Sequence, residues 1–85
     1  MPVEFLMAQM ELRERVEAGR DAGDDAALDA ARQRVVGEMK AEHARLAELI
    51  DVTGDYPAAT ALVRQLLFQE KLLHAIDEAL DAVLN

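Results

Sequence analysis

Large apolar residues recur along this chain at intervals of three, four and seven, and no segment alternates with period two. That is the signature of amphipathic helices and not of strands. Val3 to Ala18 is uninterrupted helix-forming sequence, and Gly19, suited to a left-handed cap, is expected to end it. Arg20-Asp21-Ala22-Gly23-Asp24 reads as a polar connection, after which Asp24 or Asp25 offers an N-cap. The second helix is carried by Leu28, Val35, Met39, Leu46 and Ile50, with Gly37 on the side opposite that stripe. Thr53-Gly54-Asp55-Tyr56-Pro57 forms the second break, where Asp55 can cap the third helix and Pro57 is tolerated in a first turn. From Ala58 to Leu84 the stripe is Leu62, Leu66, Leu73, Ile76, Leu80 and Val83. The pattern predicts an all-α fold in one domain over residues 1–85: an antiparallel three-helix bundle. Its first helix is short, and its second and third form a coiled-coil-like pair of about 27 residues, or ~40 Å, each.

The first helix carries more apolar bulk than one face can hold. At about 100° per residue, Phe5, Leu12 and Val16 fall within roughly 40°, flanked by Ala8 and Gln9. Leu6, Met7 and Met10 then lie about 100–200° away. Glu14 and Glu17 stand on that same side, with Glu11 on its flank. An apolar centre with an acidic rim is the anatomy of a protein-binding patch, and methionines suit it because their unbranched side chains adapt to a partner. On the third helix Phe68 lies about 110° off the stripe and Leu67 about 150° off. If the first and third helices are neighbours, Phe68 stands beside the patch. The competing reading is a short helix sandwiched on both sides, whose outer face is a second core. Leu12 and Leu73 are expected in the core on either reading.

Composition narrows the function classes. Seventeen acidic against nine basic residues give a formal charge of −8, the wrong sign for a nucleic-acid binder. There are no cysteines, so disulfides and thiolate metal sites are excluded. No apolar run approaches the ~18–20 residues of a membrane span, and the start shows no signal peptide, so the chain reads as cytoplasmic. His43 lies about 60° off the second stripe and is expected partly buried; His74, about 120° off the third, is expected exposed. Neither has metal-ligand spacing, and no catalytic, cofactor or metal residue is assigned. Glu14, Glu17, Asp77 and Asp81 read as solvated faces. Small all-helical chorismate mutases also open with a Leu-Arg pair in an acidic setting, as in Glu11-Leu12-Arg13-Glu14. Their chemistry needs cations converging on a dicarboxylate, whereas the basic residues here are spread over all three helices.

Two stretches resemble a specific family. Phe5-Leu6-Met7, Gln9, an apolar residue at Met10 and then Glu11-Leu12-Arg13-Glu14 are similar to the start of the C-terminal domain of HscB, the J-type co-chaperone of bacterial iron–sulfur cluster assembly. The likeness continues at His43, at Ala58-Ala59 and through Val63-Arg64-Gln65-Leu66-Leu67-Phe68-Gln69-Glu70-Lys71-Leu72, covering residues 5–84. The resemblance implies a three-helix domain, without catalysis, that binds the cluster scaffold protein IscU for delivery to the Hsp70-type chaperone HscA. Carried over position by position, it implies partner contacts at Leu6, Met7, Met10 and Phe68, with Glu11 and Glu14 as acidic companions. A further family acid meets Ala18 here. The alternative is a homo-oligomerisation module using the same patch. HscB proteins begin with a J domain whose His-Pro-Asp tripeptide acts on the chaperone; that tripeptide does not occur here, and the expectation is an excised C-terminal domain with an added Met1.

Overall fold

The structure, a computed structural model, describes residues 2–85. Three helices follow one another: α1 over Val3–Ala22, α2 over Asp25–Glu48 and α3 over Tyr56–Leu84, with α2 running on through a π-helical turn at Leu49–Thr53. No strand occurs among the described residues. Each helix packs against both others, and the bundle is elongated, 45 × 22 × 14 Å. No helix among the described residues is long and apolar enough to cross a membrane.

The predicted caps of α2 and α3 are in place. Asp24 Oδ1 accepts from the Ala27 N–H at 3.0 Å and Asp55 Oδ1 from the Ala58 N–H at 3.1 Å. Each satisfies one of the donors that a helix start leaves free. Pro57 sits in the first turn of α3.

The end of α1 is a correction. The helix passes through Gly19 and stops at Ala22, and Gly23, at φ 66°, is the left-handed residue. The Gly23 N–H donates to the Arg20 carbonyl and the Asp24 N–H to the Gly19 carbonyl, closing the helix end. Gly19 has a different use. It is buried, and a Cβ there would stand 3.3 Å from Leu28 Cγ, so it permits α1 and α2 to approach closely just below their turn.

Two core positions also shift. Ile50 is exposed and Leu49 is buried in its place. The inward positions of α2 run Leu28, Ala31, Val35, Met39, Glu42, Leu46, Leu49, the seven-residue periodicity of a coiled-coil seam. After Leu46 that seam steps by three, not four. The wider π-helical turn follows, with the Thr53 hydroxyl donating to the Leu49 carbonyl at 3.1 Å. On α3, Leu72 is fully buried while Leu73 is only half-buried at the core edge. Because α3 meets two helices, its buried face is wider than one stripe and centres on Ile76, Leu72 and Ala79. Leu73 lies on the α2 flank, beside Val36 and Met39. Phe5, placed on the α1 seam by its spacing, is half-buried.

Cross-helix contacts fix the levels. Arg32 Nε donates to Asp77 Oδ1 at 2.8 Å, and Gln69 Nε2 donates to Glu42 Oε1 at 3.1 Å. Asp77 is therefore an ion-pair partner and not merely a solvated acid. Moving along α2 from Arg32 to Glu42 corresponds to moving back along α3 from Asp77 to Gln69, the slide of an antiparallel pair. From the Gly19–Leu28 contact, an equal count of residues reaches Phe5 on α1 and Glu42 on α2. Phe5 and Leu6 thus lie level with Glu42, and so with Phe68 and Gln69. Beyond that level α1 has ended, and α2 and α3 continue as a pair.

Candidate functional site

The 3.6-residue repeat divides α1 into two faces. Gln9, Leu12, Val16 and Gly19 are buried, three or four residues apart. Leu6, Met7 and Met10 point elsewhere, with 38%, 59% and 63% of their surfaces exposed. Glu11 and Glu14 are exposed beside them. On α3, Phe68 is 41% exposed, at the level of Leu6 by the register above. By that register these exposed side chains fall along α1 and on the neighbouring α3, with acids on the α1 side.

Two residues of this region escaped sequence reasoning. Lys71 Nζ stands 6.0 Å from the Phe68 ring centroid, at the edge of cation–π range. The α3 side of the surface therefore carries a cation, apart from the acids on α1; its signal was the three-residue spacing from Phe68. Gln9, placed on the flank of the α1 stripe, is one of two buried polar residues among those described; the other is Gln69.

His43 is exposed, a correction to the half-buried expectation: it stands on the lip of an apolar groove of about 410 Å³ between α2 and α3, with Val36, Met39, Lys40 and Leu73. His74 is exposed as expected, its Nε2 3.1 Å from Glu78 Oε1. No group of three or more potential metal ligands occurs among the described residues. The view that basic residues are everywhere apart needs one amendment. Arg15 and Arg34 both line a groove of about 510 Å³ between α1 and α2, half of whose lining residues are alanine. Arg34 is already paired with Glu38 at 3.2 Å.

Comparison with known proteins adds a family to this geometry. A family profile described as the HSCB C-terminal oligomerisation domain matches residues 1–77. The chain is 49% identical to a co-chaperone protein HscB homolog of Azoarcus sp., over all of this chain and 48% of that protein. It is 42% identical to the homologs of Aromatoleum aromaticum, over 93% of this chain and 45% of that one, and of Ralstonia nicotianae, over 95% and 46%. The chain spans about half the length of the curated relatives it matches. No solved structure matches it.

Proposed function

From the chain's membership of the HscB C-terminal domain family, we propose that it is the docking part of an iron–sulfur co-chaperone, holding the scaffold protein IscU for delivery to the Hsp70-type chaperone HscA in the bacterial cytoplasm. Leu6, Met7, Met10 and Phe68 supply the apolar contact; Glu11 and Glu14 steer a basic surface of the scaffold onto it. The observation that carries this reading is the exposure of Leu6, Met7, Met10 and Phe68 on two helices that pack against each other, α1 and α3. Exposed apolar groups that lie together on a soluble domain mark an interaction site. The chemistry required is burial and shape, which a rigid helix face provides without any reacting group.

The description of the family profile as an oligomerisation domain favours a second reading, in which the same surface meets another copy of this chain. One experiment separates the two. Purified IscU is titrated into the chain by calorimetry, and solution mass is followed across a dilution series without IscU. Saturable binding by a chain that stays monomeric supports scaffold docking. A concentration-dependent dimer that IscU does not dissolve supports self-association.

A further inference from the structure

The core of this bundle is aliphatic except at one layer. Gln9 from α1, Glu42 from α2 and Gln69 from α3 stand within about one helical turn of a common level, one polar side chain from each helix. Gln69 is 1% exposed and Gln9 7%. Gln69 Nε2 donates to Glu42 Oε1 at 3.1 Å. Three oxygens are left sealed from solvent with no donor: Oε1 of Gln9, Oε2 of Glu42 and Oε1 of Gln69. Buried acceptors of this kind cost stability unless a donor is supplied. A surplus of acceptors around a carboxylate has a simple remedy, a proton on the carboxylate.

We propose that Gln9, Glu42 and Gln69 form a proton-linked latch between the three helices, closed when the Glu42 carboxyl carries a proton and donates its O–H to a glutamine oxygen, and loosened when it is ionised. The latch is placed to matter. Gln9 precedes Met10 and Gln69 follows Phe68, so the layer lies at the level of the exposed apolar residues. Its consequence for docking rests on the reading of that surface given above: a closed latch holds the start of α1 in register with α3, and an open one lets it loosen. Single buried polar residues set register in helical assemblies in the same way.

The surroundings of Glu42 agree. Its pKa is raised above the ordinary 4.5, first by burial, then opposed by the hydrogen bond from Gln69. The charged neighbours that act on it are on its own helix, Glu38 raising and His43 lowering the value. From α3 it is met by the neutral Gln69, and the buried α1 residue nearest its level is the neutral Gln9. With the folded pKa above the unfolded one, the folded chain binds the extra proton. The stability the latch contributes is complete below 4.5 and is lost as pH rises through the folded value.

The test is Glu42→Gln, which keeps the shape and supplies a permanent N–H donor. At pH 8 the variant should melt above the parent, and the gap should close as pH falls below 4.5. A ¹³C titration of the Glu42 carboxyl in the parent should give a midpoint above 4.5. His43→Gln in both backgrounds removes the imidazole that acts on Glu42 from the next position, and the closing gap must survive it. A gap that does not change with pH, a variant that melts below the parent at pH 8, or a midpoint at or below the ordinary value would each overturn the latch. None of these readouts uses a partner, so failure of scaffold docking leaves them intact, and their failure leaves the docking proposal standing.

Discussion

Leu12 and Met10 are both large apolar residues two positions apart on α1, yet Leu12 is sealed in the core and Met10 keeps more than half of its surface in water. The same contrast occurs on α3, where Leu72 is fully buried and Phe68 is 41% exposed. Residue type does not separate these pairs. What separates them is the neighbour: Leu12 and Leu72 point between helices, whereas Met10 and Phe68 point past the outer edge where α1 and α3 meet. The inner pair is therefore expected to act on folding, and under the docking proposed above the outer pair acts on association.

The largest effect expected from this contrast is at Leu72. Truncation to alanine removes a side chain with no exposed surface, and should cost about 2–5 kcal/mol of stability, read as a large fall in melting temperature. Leu73→Ala, at the core edge, should cost visibly less; equal costs would erase the distinction between buried and flanking stripe. Next in size are the outer residues. Leu6, Met10 and Phe68 changed singly to alanine should each weaken IscU binding by about 1–2 kcal/mol, or roughly 5–30-fold, as measured by calorimetric titration.

A smaller effect of opposite sign is expected at Gly37. It is exposed inside α2, and a Cβ there meets nothing within 4 Å. Gly37→Ala should therefore raise stability by about 1 kcal/mol, the helix-propensity difference, without touching association. A fall in melting temperature would mean that this face of α2 is not free. The smallest effect is kinetic. Charge reversal at Glu14 should slow association with IscU at low salt and matter little at high salt, because a rim acid acts through a field that ions screen. Stopped-flow rates at two ionic strengths decide it, and an equal effect at both would make Glu14 a bystander.

Much of this was legible in the sequence. The three helices, the caps at Asp24 and Asp55 and the two-faced character of α1 follow from spacing and turn chemistry, which are local. The errors share one cause: they depend on which helix lies opposite. Gly19 looked like a helix end because its use is to let Leu28 approach, a contact between helices. Leu73 was chosen over Leu72, and Ile50 over Leu49, because a single stripe cannot show that α3 meets two neighbours or that α2 widens after Leu46. His43 was drawn toward the core by the same single-stripe geometry. On the candidate surface, Leu6, Met7, Met10 and Phe68 could be read from helical angles, whereas their common level could not. It needs the register set by Arg32–Asp77 and Glu42–Gln69.

The central claim, that one face of α1 folds the domain while the other docks a partner, is tested most directly by two readouts on one set of variants. Leu12→Ala, Leu6→Ala and Phe68→Ala are each measured for melting temperature and for IscU affinity, the affinity taken well below every melting point. Leu12→Ala should lose stability and keep its affinity while folded. Leu6→Ala and Phe68→Ala should melt close to the parent and bind roughly 5–30-fold more weakly. If instead Leu6→Ala and Phe68→Ala lower the melting temperature as far as Leu12→Ala does and leave affinity unchanged, the outer face is a second core and the account is wrong.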